Sequence, residues 1–324
     1  MERLWKSERL GGFDVLRVIA AAIVLVNHSC SLTQNDDYLA VNGMGLGRLG
    51  TAIFFALSGC MAAGTRHSPE TWLWHRLRKI YPAFWIVLAV SFFGAWWTGY
   101  KSFDCWQVVC QFAGIGLFTH HANLINIVTW FVSLILVLYL IVYLARRSRE
   151  AAVIGLAIAA AIALALALPS KHAVVPGHAL TFLIAYAFSR FGRWKASWVL
   201  GLSAVQALLV AFEPNVAYGF AALVLTALAG RWSFEWKLGH ALARYSYEWF
   251  LVHGLCLHFA LRLFGDSVPL ALAFAAGLSF AVAVSLRHFL QALYASFHFD
   301  PRAEWRVRSR SHTVAAEPAS GVES

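Results

Sequence analysis

The sequence predicts an all-α integral membrane protein, a polytopic bundle of about ten transmembrane helices, and three observations carry that reading. Apolar segments long enough to cross a hydrocarbon core of about 30 Å recur from Phe13 to Leu293, and no polar block between them is long enough to fold by itself. Charged residues form only 13% of the 324 residues and hydrophobic ones 60%. A soluble domain carries about twice that charged share, so lipid is the solvent for most of this chain. Finally, Lys and Arg gather in short clusters between alternate apolar segments, where the positive-inside rule places them.

In order, the predicted spans are Phe13 to Leu32, Arg48 to Gly64, Ile80 to Thr98, Leu124 to Ala145 and Ala151 to Leu168, followed by Val174 to Arg190, Ala196 to Phe212, Ala217 to Gly230, Tyr247 to Phe264 and Val268 to Leu293. The first is no removable signal peptide, because it is too long and carries Asp14 and Arg17. Trp106 to Phe118 is apolar but about half the length a span needs, which reads as a re-entrant or interfacial helix. Charge supports leaving it out. With both termini cytoplasmic, the clusters Arg66 to Lys79, Arg146 to Arg149, Arg190 to Lys195, Arg231 to Arg244 and Arg302 to Arg310 all fall inside. The outer connections Gln34 to Asn42, Phe212 to Asn215 and Gly265 to Pro269 carry little positive charge. The expected organisation is one membrane domain over residues 1–299 and a basic, disordered cytoplasmic tail over 300–324, in the inner membrane.

The formal charge of +10 does not indicate nucleic acid, since the topology already accounts for where the cations sit. Five cysteines, Cys30, Cys60, Cys105, Cys110 and Cys256, lie mostly in or beside apolar segments. They lack metal-ligand spacing, so buried thiols are the expectation and no metal is expected. A Cys105 to Cys110 bridge stays open, because a short outer loop permits it.

With no appended soluble domain, chemistry must sit in or at the edge of the membrane, where ionisable side chains are costly and usually functional. The first span holds Asp14, Arg17 and His28. Arg17 and His28 stand nearly three helical turns apart, on one face and roughly 16 Å apart along the axis. Asp14 lies one turn before Arg17. An Asp14–Arg17 pair anchoring the inner end of the helix explains two of these residues but leaves His28, whose near-neutral imidazole suits proton transfer from a hydroxyl as well as a plain buried hydrogen bond. Arg76, Arg78 and Lys79 precede the third span and suit either a topology signal or an anionic ligand. Ser58 and Gly59 within GTAIFFALSG suit close helix packing, and Glu248 and His253 within YSYEWFLVHG are again ionisable groups in an apolar setting.

Taken together and in this order, FDVLRVIAAAIVLVNH, GTAIFFALSG, RLRKIYPAFW and YSYEWFLVHG resemble the acyltransferase 3 family of membrane acyltransferases over residues 13–254. The resemblance implies that Arg17 and His28 match the family's Arg-x10-His hallmark, with His28 the catalytic residue and Arg17 and Asp14 orienting the helix or the donor. It also implies that Arg76 and Arg78, with Lys79, contact the phosphates of an acyl-coenzyme A arriving from the cytoplasm. The implied reaction moves an acetyl or similar small acyl group from acetyl-CoA to a hydroxyl of a cell-surface or exported glycan or a lipid-linked sugar. One departure stands out: the family's Glu five residues after a middle-span Trp is Ile135 here, after Trp130. Glu248 is a candidate substitute.

A secondary transporter is the main alternative, since buried Asp, Arg, His and Glu suit a substrate or proton pathway. Against it, the sequence shows no internal repeat and no matched pair of broken spans. A catalytically inactive binding protein is a third class, kept open by Ile135.

Overall fold

The computed structural model describes residues 11–32, 40–41, 44–119, 123–168, 173–192, 201, 214–232, 236–265 and 267–296. Its helices are α1 (Gly11–Leu32), α2 (Gly47–Ala63), α3 (Pro69–Thr98), α4 (Cys105–Phe112), α5 (Gly116–Thr119) and α6 (Thr129–Arg147), then α7 (Glu150–Ala167), α8 (Val174–Arg190), α9 (Pro214–Ala229), α10 (Lys237–Arg244), α11 (Ser246–Phe264) and α12 (Val268–Ser296). The only strand pairing among the described residues is a minimal antiparallel ladder, Ala40 opposite Gly45 and Val41 opposite Met44.

Each predicted span coincides with one of these helices except Ala196 to Phe212, which apart from Gly201 lies outside the described residues, as does the tail after Ser296. By length and composition α1, α3, α6, α7 and α12 are apolar enough to cross a membrane, while α2 and most of α9 form shorter apolar helices. The segment expected to stop short of crossing does so, as α4 and α5.

Boundaries differ where charge masks helix. The third span was expected to start at Ile80, yet α3 begins at Pro69, where the Ser68 hydroxyl accepts a hydrogen bond from the Thr71 N–H and proline occupies the first turn. At 30 residues it runs about 45 Å, longer than the hydrocarbon core, so its charged first turns extend beyond lipid. At its other end Gly99 adopts a φ of 64° and closes the helix by donating to the Ala95 and Trp96 carbonyls. Trp96, Trp97, Tyr100 and Trp106 cluster there, all exposed, as the aromatic belt of a membrane interface requires. Helix α7 buries only Ile154, Ala161 and Ala165. The rest of its apolar surface faces outward, which is stable in lipid and not in water.

Helix α2 sits at the centre, packed against α1, α8 and α9. Glycine makes that possible. A Cβ on Gly50 would stand 2.7 Å from the Ala20 carbonyl oxygen, and one on Gly59 would run into the Phe182 carbonyl oxygen. Gly59→Ala is therefore expected to lower stability by about 1–3 kcal/mol through overpacking, read as thermal unfolding in detergent. Gly94→Ala in α3, with nothing within 4 Å of the added methyl, serves as the neutral control.

Cys60, Cys105, Cys110 and Cys256 are free thiols. Cys105 and Cys110 open and close turns of the same short helix, one exposed and one buried, so the open possibility of a bridge is not realised.

Candidate active site

The ends of α2 and α10 and the starts of α3 and α11 surround a cavity of about 580 Å³, which α1, α6 and α12 complete. Its lining is cationic. Arg17, Arg76, Lys79, Arg244 and Arg287 contribute five positive side chains against a single lining carboxylate, Asp14.

That carboxylate is spoken for. Asp14 is buried and accepts from the Arg17 Nη1 at 2.7 Å through one oxygen, while its other oxygen lies 2.8 Å from His240 Nδ1. Arg17 Nη2 reaches the Met61 sulfur at 2.7 Å. Asp14 and Arg17 thus form the pair expected from their spacing, and His240 on α10 extends it into a bridge between the first helix and the amphipathic helix at the cavity mouth.

On α3, Arg76 and Lys79 stand three residues apart and share a face, so both reach the cavity. Arg76 donates to the Met61 carbonyl at 3.3 Å, and its guanidinium lies 5.5 Å from the Tyr139 ring centre. Arg78 lies on another face. It stacks its guanidinium over Trp74 at 5.7 Å, and its carbonyl accepts from the Tyr294 hydroxyl. The cation set is therefore Arg76 and Lys79 without Arg78, joined by Arg244 and Arg287, which sequence reasoning left among topology charges and ordinary span residues. A signal existed for Arg287, an ionisable residue inside the last predicted span. For Arg244 there was none beyond its cluster.

Glu248 is buried and pairs with Arg287 at 3.4 Å. Ile135 lines the same cavity, so the position that lacks the family's carboxylate and the Glu248–Arg287 pair border one space. Ser58 lines it too, while its neighbour Gly59 makes the helix contact with α8.

His28 and His253 do not line the cavity. They form a pair of their own, ring centres 5.2 Å apart, and His253 contacts the Phe250 ring at 5.6 Å. Phe250 in turn lines the cavity together with Phe54 and Phe131. The three phenyl rings pack on one another at 4.9 to 6.3 Å. They form an aromatic wall of the cationic cavity, a septum whose Phe250 ring has the imidazole pair behind it. Among the described residues no group of three or more His, Cys, Asp or Glu gathers as a metal site.

A family model described as an acyltransferase domain matches residues 10–288, which span the cavity, the septum and the histidine pair. No curated protein and no solved structure matches the chain.

Proposed function

The chain belongs to the acyltransferase 3 family, whose model covers most of it, and on that premise we propose an integral-membrane O-acyltransferase that uses acetyl-CoA or a similar short acyl-CoA. The acceptor is a hydroxyl of a cell-surface or exported carbohydrate, free or lipid-linked. In this reading the ten-span bundle lies in the inner membrane with both termini in the cytoplasm. The donor enters from that side, and the acceptor approaches from the outer face or the bilayer.

The observation that carries the proposal is the charge of the cavity. Five cations, of which Arg17 is paired with Asp14 and Arg287 with Glu248, suit a ligand with several phosphate charges, because charge-assisted bonds to guanidinium are short and strong. Arg76, Lys79, Arg244 and Arg287 would hold the phosphates, with Asp14 fixing Arg17 beside them. The pantetheine arm, long and mostly uncharged, would pass the phenyl septum and bring the thioester to His28. There His28 would act as general base on the acceptor hydroxyl or receive the acyl group itself. Membership in this family favours acyl transfer over the transporter alternative.

The test is acyl transfer from radiolabelled acetyl-CoA in membranes carrying the protein, with a mixed glycan extract as acceptor. Label in a glycan fraction supports the proposal. Absence of both glycan label and coenzyme A binding sinks it. A narrower prediction concerns the cations: Arg76→Ala or Lys79→Ala each removes charge-assisted bonds worth about 1.5–3 kcal/mol, which corresponds to roughly 10- to 150-fold. The KM for acetyl-CoA is expected to rise by that factor while kcat stays near wild type. A fall in kcat with KM unchanged would remove these side chains from donor binding.

A further inference from the structure

His253 is 2% exposed, and its two ring nitrogens have different surroundings. Nδ1 lies 2.6 Å from the Phe250 carbonyl oxygen, one turn earlier in the same helix. A carbonyl can only accept, so in the neutral ring Nδ1 carries the hydrogen and Nε2 carries the lone pair. That Nε2 is buried without a hydrogen-bond partner. Buried acceptors are almost always satisfied, and an exception beside a reactive group points to a ligand that supplies the missing donor. The ring beside it is His28, tilted by 45° with centres 5.2 Å apart. No carboxylate is hydrogen-bonded to either ring among the described residues, so the pair is not an imidazole held by an acid as in a serine hydrolase.

We propose that His253 is a second catalytic residue, whose Nε2 accepts the proton of the acceptor hydroxyl, while His28 is left to engage the acyl group. The inference rests on the acyltransferase reading above and assigns a separate base to it. The need is chemical. An imidazole nitrogen that carries an acyl group has no lone pair left to take a proton, and one that takes the proton cannot carry the group. Two adjacent rings divide the tasks. In the transfer, the O–H bond breaks and its proton goes to His253 Nε2. The oxygen forms a bond to the acyl carbon. In direct transfer the bond from that carbon to sulfur breaks with its electron pair leaving on sulfur; if the group is parked first, a His28 nitrogen lone pair forms the bond to the acyl carbon as the carbon–sulfur bond breaks, and the later attack of the oxygen returns that electron pair to His28. Coenzyme A departs as thiolate and takes up the proton from His253, which returns both rings to their starting state.

His253→Asn isolates this role, because the asparagine amide nitrogen takes the place of Nδ1 and can still donate to the Phe250 carbonyl, while Nε2 is removed together with the Cε1 that joins it to Nδ1. In full-length protein in nanodiscs, with labelled acetyl-CoA and a mixed glycan extract, turnover is expected to fall at least about 100-fold, the usual contribution of general base catalysis. The KM for acetyl-CoA and the thermal midpoint should be unchanged. In His253→Ala, added imidazole should restore part of the rate, since a free base can occupy the vacated space. Near-wild-type turnover in His253→Asn overturns the proposal. So does a loss that comes with a lowered midpoint or weakened coenzyme A binding and that imidazole fails to rescue, because His253 would then be a packing residue. An inactive wild type that does not bind coenzyme A would instead fell the acyltransferase reading itself.

Discussion

Replacing His28 with alanine is expected to remove acyl transfer, by about 10²–10⁴-fold if the ring acts as a general base and to background if it carries the acyl group, while coenzyme A still binds. The separation follows from the layout. His28 touches His253 and does not line the cationic cavity, so its loss deletes the proposed reactive group and leaves every cation lining the cavity in place. It is also only partly buried, so the truncation costs little packing. Label transfer from acetyl-CoA, paired with a coenzyme A titration of the same preparation, checks both halves. Unchanged transfer would remove His28 from the chemistry. Lost binding would mean that the two ends of the site are not independent.

Arg287→Met is expected to act on stability and donor affinity together. Arg287 is the ion-pair partner of the buried Glu248, it donates to the Arg244 carbonyl at 2.5 Å, and it lies over the Tyr245 ring. Removing one member of a buried pair strands the other charge, at roughly 3–5 kcal/mol. Partial exposure of the arginine places this case at the lower end. The double variant Arg287→Met with Glu248→Leu removes the stranded carboxylate, so the thermal midpoint should largely recover. Affinity for coenzyme A should not recover, because the cavity still lacks one of its cations. Recovery of both in the double variant would make the pair structural alone, and recovery of neither would mean that Arg287 holds the bundle through the Arg244 carbonyl.

Much of this arrangement is legible in the residues because lipid imposes a simple rule on the chain. Segments such as α1, α6 and α7 must satisfy their backbone internally and present apolar surface outward, so their existence follows from composition. The spacing of Asp14, Arg17 and His28 likewise placed them on one face of one helix. Four things were not legible. Helical continuation through polar residues, as in α3 from Pro69 to Lys79, leaves no hydropathy signal. The choice between Arg76 and Arg78 depends on which face of α3 turns toward the cavity, a tertiary fact. The convergence of Arg244, Arg287 and Ile135 on the same space joins residues from three helices far apart in the chain, and no local pattern encodes it. His253 sat in a recognisable motif, but its orphaned Nε2 and its neighbour His28 come from packing α11 against α1.

The Phe54, Phe131 and Phe250 rings have an electrical consequence. A hydrated, positively lined cavity that ran on to a pair of imidazoles would be a proton wire through the bilayer, and each charge crossing it would dissipate roughly 2.3 kcal/mol per 100 mV of membrane potential. Three phenyl rings, 4.9 to 6.3 Å between centres, offer a file of water no hydrogen-bond partner. An apolar wall of this kind acts as an insulator, so on the proposed reading an acyl group would cross an energised membrane without discharging it.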